Sequence, residues 1–77
     1  EVLMYGKALI KLNRLEQAID VLKELLSQDE QNSKARVQLI KAYRLAGFND
    51  HARQECEEGM REARSSQEYA EIKSLMP

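Results

Sequence analysis

The sequence repeats itself at a fixed interval. At a shift of 34, residues 1–32 fall on residues 35–66: Leu3 meets Val37, Tyr5 meets Leu39, Ala8 meets Ala42, Leu9 meets Tyr43, Ala18 meets Ala52, Leu22 meets Cys56 and Leu26 meets Met60. Small residues fall on small ones, and apolar residues mostly on apolar ones. A period of this length is one supersecondary unit used twice. Such a unit buries its apolar face by stacking on its neighbour.

Within each unit the apolar residues recur at helical spacing. Tyr5, Ala8, Leu9 and Leu12 make one stripe, which predicts a first helix with that face inward. Asn13 ends it. Its counterpart in the second unit is Gly47, and Asn and Gly best tolerate the left-handed conformation that closes a helix. A second helix is predicted over about 15 to 27, with Ala18, Ile19, Leu22, Leu25 and Leu26 on its face. After the polar stretch 27–33, Asn32 or Ser33 can cap a third helix carrying Leu39, Ala42, Tyr43 and Ala46. Asn49 or Asp50 starts a fourth, which runs to about 63 with Ala52, Cys56 and Met60 inward.

A fifth helix follows. Ser65 and Glu68 have capping-box spacing, and Tyr69, Ile72, Leu75 and Met76 form a short apolar stripe. Its apolar residues are out of register with the repeat, so it reads as a cover over the fourth helix. The predicted organisation is a first repeat over 1–32, a second over 33–64 and a capping helix over 65–77. The alanines predict a close crossing, with Ala18 and Ala52 opposite Ala8 and Ala42, where a bulkier side chain would overpack.

Composition supports an all-helical chain. Strong helix formers dominate, and the 77 residues include only three Gly and one Pro. Twelve basic and thirteen acidic residues leave a formal net charge of −1. That balance gives no case for nucleic acid or an anionic membrane as partner. No apolar run is long enough to span a bilayer. The chain starts at Glu1, not Met, and its first helix begins mid-stride, which reads as a piece of a longer protein. Cys56 is the sole cysteine, so no internal disulfide forms, which fits a reducing, cytoplasmic setting.

Nothing in the residues calls for catalysis, a cofactor or a metal. The single histidine, His51, and Cys56 lie five positions apart on a helix and point away from each other. A nucleophile and its base need hydrogen-bond reach. No zinc-protease, paired-cysteine or glycine-rich phosphate motif occurs.

The residues Tyr5, Gly6, Leu9, Asn13, Ala18 and Leu22, and Leu39, Ala42, Tyr43, Gly47 and Ala52 in the second copy, resemble the tetratricopeptide repeat. The resemblance covers about residues 1 to 64. Val2 and Arg36 stand where that family often has Trp, Glu30 where it often has Pro, and Gly59 where a small or apolar residue is usual. The resemblance implies an all-α fold: antiparallel helix–turn–helix repeats in a short right-handed α-solenoid, here of five helices. It also implies a binding module for proteins or extended peptides, with the first helices of successive pairs lining a concave groove.

On that reading the groove face carries Leu3, Lys7, Ile10 and Lys11 from the first helix and Lys34, Val37, Gln38, Lys41 and Arg44 from the third. The third helix holds Lys34, Arg36, Lys41 and Arg44 with no acid between 33 and 46, while Glu55, Glu57, Glu58 and Glu62 load the fourth. The expectation is a basic, partly apolar groove for an acidic extended segment within a larger scaffold or adaptor. The alternatives are a self-associating or structural end of a longer solenoid with no separate ligand, and charged faces that are simply solvated. RNA binding, known for related helical repeats, is disfavoured by the 34-residue spacing and the net charge.

Overall fold

The computed structural model describes residues 2–77. They form five α-helices: α1 (Val2–Lys11), α2 (Leu15–Gln28), α3 (Ser33–Leu45), α4 (Asn49–Glu62) and α5 (Ser66–Lys73). Each helix packs on its chain neighbour, and α1 also reaches α3. No strand forms among the described residues.

The two turns inside the helix pairs are built alike. At the end of α1, the Arg14 N–H donates to the Leu9 carbonyl at 2.8 Å and the Asn13 N–H to Ile10 at 2.9 Å. At the end of α3, Phe48 donates to Tyr43 at 2.8 Å and Gly47 to Arg44 at 3.1 Å. This paired arrangement satisfies the last carbonyls of a helix and requires a left-handed residue at its centre. Asn13 (φ 61°) and Gly47 (φ 85°) are those residues. The connection between pairs is different. There the Asn32 side chain accepts from the Ala35 N–H at 3.0 Å and starts α3.

The core is a single cluster running through all five helices. Leu9 of α1, Ala18, Ile19, Leu22 and Leu26 of α2, and Ala35, Val37, Leu39, Ile40, Ala42 and Tyr43 of α3 are buried, with Ala52 and Cys56 of α4 and Ile72 of α5. Ala18, Ala42 and Ala52 have no exposed surface at all.

The inward face of α1 is not the expected one. Gly6 and Leu9 are buried, and Leu3 and Ile10 lean on the core. Tyr5 (56 %) and Leu12 (65 %) are exposed, as is Ala8. Ala8 therefore takes no part in the crossing with α2. Gly6 makes the close approach instead: a Cβ there would stand 2.8 Å from Leu22 Cδ2. Tyr5, Ala8 and Leu12 do form a stripe, but no helix among the described residues lies against it.

The fifth helix packs against α4, with Ile72 beside Gly59. Ser65 caps it by accepting from the Glu68 N–H at 3.1 Å, while the Glu68 carboxylate takes the Arg64 N–H at 2.7 Å. The reciprocal bond of the capping box thus falls one residue earlier than the spacing predicts. Of the predicted stripe only Ile72 is fully buried. Leu75 and Met76, past the helix end, are half-buried, and Tyr69 stays exposed. The linker before α5 is tied back to the loop after α2, because the Arg64 guanidinium donates to the Gln31 side chain at 3.1 Å and to its carbonyl at 3.4 Å.

Candidate functional site

The nine residues expected on the groove do not share one environment. Lys7, Lys11, Lys34, Lys41 and Arg44 are exposed. Leu3, Ile10 and Gln38 are half-buried. Val37 is 6 % exposed and belongs to the core, so it anchors α3 and has little surface left for a ligand.

Ile10, Lys41 and Arg44 line one open hollow of about 640 Å³ together with Leu45, Asn49 and Pro77. Leu3, Lys7, Lys11, Lys34, Val37 and Gln38 are not among its lining residues. The hollow joins α1, α3, the start of α4 and the end of the described chain. Two cations, one amide and three apolar side chains form its wall, with no acidic side chain among them. Neither α1 nor α3 contains an acidic residue anywhere along its length, which is why a wall drawn mainly from those two helices is one-signed. Leu45 is 64 % exposed there. The periodicity of α3 gave no prediction for Leu45, because it lies off that helix's core face.

Arg36 leaves the basic face altogether. Only 7 % exposed, it points toward α4, where its guanidinium lies 3.4 Å from Glu55, 3.7 Å from Glu58 and 3.2 Å from Glu62. Gly59 makes room for it: a Cβ there would stand 2.9 Å from Arg36 Cδ and 3.0 Å from Ile72 Cδ1. Arg36, Glu55, Glu58 and Glu62 therefore belong to the packing between α3 and α4. Arg36 Nε and Glu55 Oε1 face each other buried without a well-formed hydrogen bond. Burial raises the Glu55 carboxyl above its ordinary value against the opposing pull of Arg36, and Glu58 and Glu62 push it the same way as burial.

Cys56 is fully buried, and that burial raises its thiol pKa, so the neutral form is favoured. His51 is exposed and stacks among aromatic rings on another side of α4. The two share no site. Among the described residues, no three His, Cys, Asp or Glu side chains are grouped as metal ligands. No helix among them is long and apolar enough to cross a membrane.

Two antiparallel helix pairs with similarly built inner turns, stacked through α2 and α3 and followed by a fifth helix packed on α4, define an α-helical repeat module. The sequence profile of the tetratricopeptide repeat matches residues 9–76. The chain belongs to the tetratricopeptide repeat family, whose members are typically non-enzymatic modules that mediate protein–protein interaction. Comparison with curated proteins and with solved structures returns no significant match.

Proposed function

We propose that this chain binds an acidic, extended segment of a partner protein along the face of α1 and α3. The observation that carries the reading is the hollow of Ile10, Lys41, Arg44, Leu45, Asn49 and Pro77, whose side chains include two cations and no acid. Lys7, Lys11 and Lys34 extend its positive charge along the exposed surfaces of the two helices. Ile10 and Leu45 supply apolar contact, and Asn49 can hydrogen-bond a peptide backbone. Leu3 and Gln38 retain partial exposure for the same purpose, whereas Val37 serves by holding α3 in place.

Two helices side by side present a strip about 20 Å wide, which takes roughly six extended residues. Exposed ion pairs contribute about 0.2–1 kcal/mol each. Five such pairs with modest apolar contact correspond to a dissociation constant between about micromolar and millimolar. The test is a titration of a labelled acidic peptide at low and high salt, with the Lys41→Glu, Arg44→Glu double variant alongside. Binding should weaken as salt rises, because such charges are screened within about 10 Å at 0.1 M, and charge reversal should remove most of it. Affinity indifferent to both overturns the reading.

A second reading is favoured by a separate observation. Val2, Tyr5, Ala8 and Leu12 make an exposed stripe along α1, and such surface drives association. Self-association through α1 predicts a concentration-dependent sedimentation coefficient that Tyr5→Lys abolishes. A monomer at every concentration eliminates it.

A further inference from the structure

Away from the basic face, α2, α3 and α4 enclose a second cleft of opposite character. It has a volume of about 380 Å³ and is lined by Glu16, Ile19, Asp20, Lys23, Tyr43, Phe48 and His51. Three aromatic rings stand together in it. The Tyr43 and His51 centroids are 5.3 Å apart, Phe48 and His51 5.8 Å, and Tyr43 and Phe48 6.5 Å. The turn explains their meeting. Left-handed Gly47 and the Phe48 N–H bond to the Tyr43 carbonyl fold the start of α4 back over the end of α3.

We propose that this cleft receives an arginine side chain of a basic peptide segment from a partner protein. The Phe48 ring face attracts a cation through its quadrupole, and a guanidinium stacks on planar rings such as Phe48 and His51 as well. Phe48 keeps 43 % of its surface exposed and His51 is exposed, so their rings are reachable. Glu16 and Asp20, one helical turn apart on α2, stand on the rim. Among the described residues the ion pairs are those of Arg36 alone, so both carboxylates are without a cation. Lys23 also lines the cleft and pairs with neither of them. Carboxylates beside stacked rings suit arginine better than lysine, because a planar fork engages an acid edge-on while stacking face-on. The Tyr43 hydroxyl senses the same field: burial raises its pKa first, and the charges of Glu55 and Asp20 raise it further.

The experiment is an NMR titration of the whole chain with a short capped glycine–serine peptide carrying a single arginine. The same peptide with citrulline, the neutral isostere, serves as control. Amide shifts should concentrate at Asp20, Phe48 and His51, and citrulline should bind about two- to fivefold more weakly. Asp20→Asn, on the exposed surface of α2, and Phe48→Leu, which keeps apolar bulk and removes the ring, should each weaken the arginine peptide by a similar factor. The Lys41→Glu, Arg44→Glu variant should bind it unchanged, which separates this site from the basic hollow. Equal binding of citrulline, shifts confined to Glu57 and the other outer acids of α4, or indifference to both single variants overturns the proposal.

Discussion

α1 and α3 hold corresponding positions in the two helix pairs, yet they live in different surroundings. Leu39 and Ala42 of α3 are buried against the preceding pair, while Tyr5 and Ala8, their counterparts in α1, are exposed. The apolar pattern is nearly the same. What differs is that α3 has α2 on one side and α4 on the other, whereas α1 has no helix on its outer side among the described residues. A repeat position becomes core only when a neighbour is laid against it.

The largest effect should come from truncating the two members of one such position. Leu39→Ala should cost about 2–5 kcal/mol, as for other buried leucines. Tyr5→Ala should stay within about 0.5 kcal/mol, as for exposed sites. At about 4–8 °C per kcal/mol for a domain of this size, thermal melts separate the two cleanly. Equal losses would mean that the outer face of α1 is covered in solution.

Arg36 and Val2 occupy another matched position, and only Arg36 is held by charge. Arg36→Met should cost about 1–3 kcal/mol at neutral pH, because half-buried Glu55 loses its counter-ion. The sign with pH follows from Glu55, whose folded pKa lies above its ordinary value. Protonated Glu55 is favoured by folding, so its contribution is present below the unfolded carboxyl pKa and is lost as pH rises through the folded value. Removing Arg36 raises that folded value further. The deficit of the variant in urea melts should therefore grow from acid to neutral pH, and a deficit independent of pH would show that only packing against Gly59 was lost.

The smallest contrast lies in the two turns. Gly47→Ala places a Cβ at φ 85° and should cost about 1–2 kcal/mol. No atom crowds that position, so any loss comes from the backbone alone. Asn13→Gly should change stability by no more than about 0.5 kcal/mol, because Asn already tolerates the left-handed region. Denaturant midpoints measure both, and matched losses would contradict the shared turn geometry.

Much of this molecule is legible in the chain, because short-range rules govern it. The helix-ending Asn13 and Gly47 and the caps at Asn32 and Ser65 are local signals, and each is found in place. Small residues at 18 and 52 likewise announce tight packing. The hollow and the aromatic cleft are less legible. Lys41 and Arg44 declare themselves by α3 lacking any acid, but Ile10 and Asn49 join them only across helices. Tyr43, Phe48 and His51 look like a core aromatic, a turn residue and a helical residue with nothing in common until the turn folds them together.

The sequence by itself determined the helices and their ends, since these depend on spacing, backbone conformation and capping within a few residues of chain. Tertiary structure decided which equivalent residues are buried and which charges are free. It placed Arg36 beneath three carboxylates of α4 and not on the basic face. It gave the α1–α2 approach to Gly6 and left Ala8 in solvent. The physical reason is the same in both cases: burial and charge pairing are properties of the surface that arrives opposite a residue, and that surface comes from a distant part of the chain.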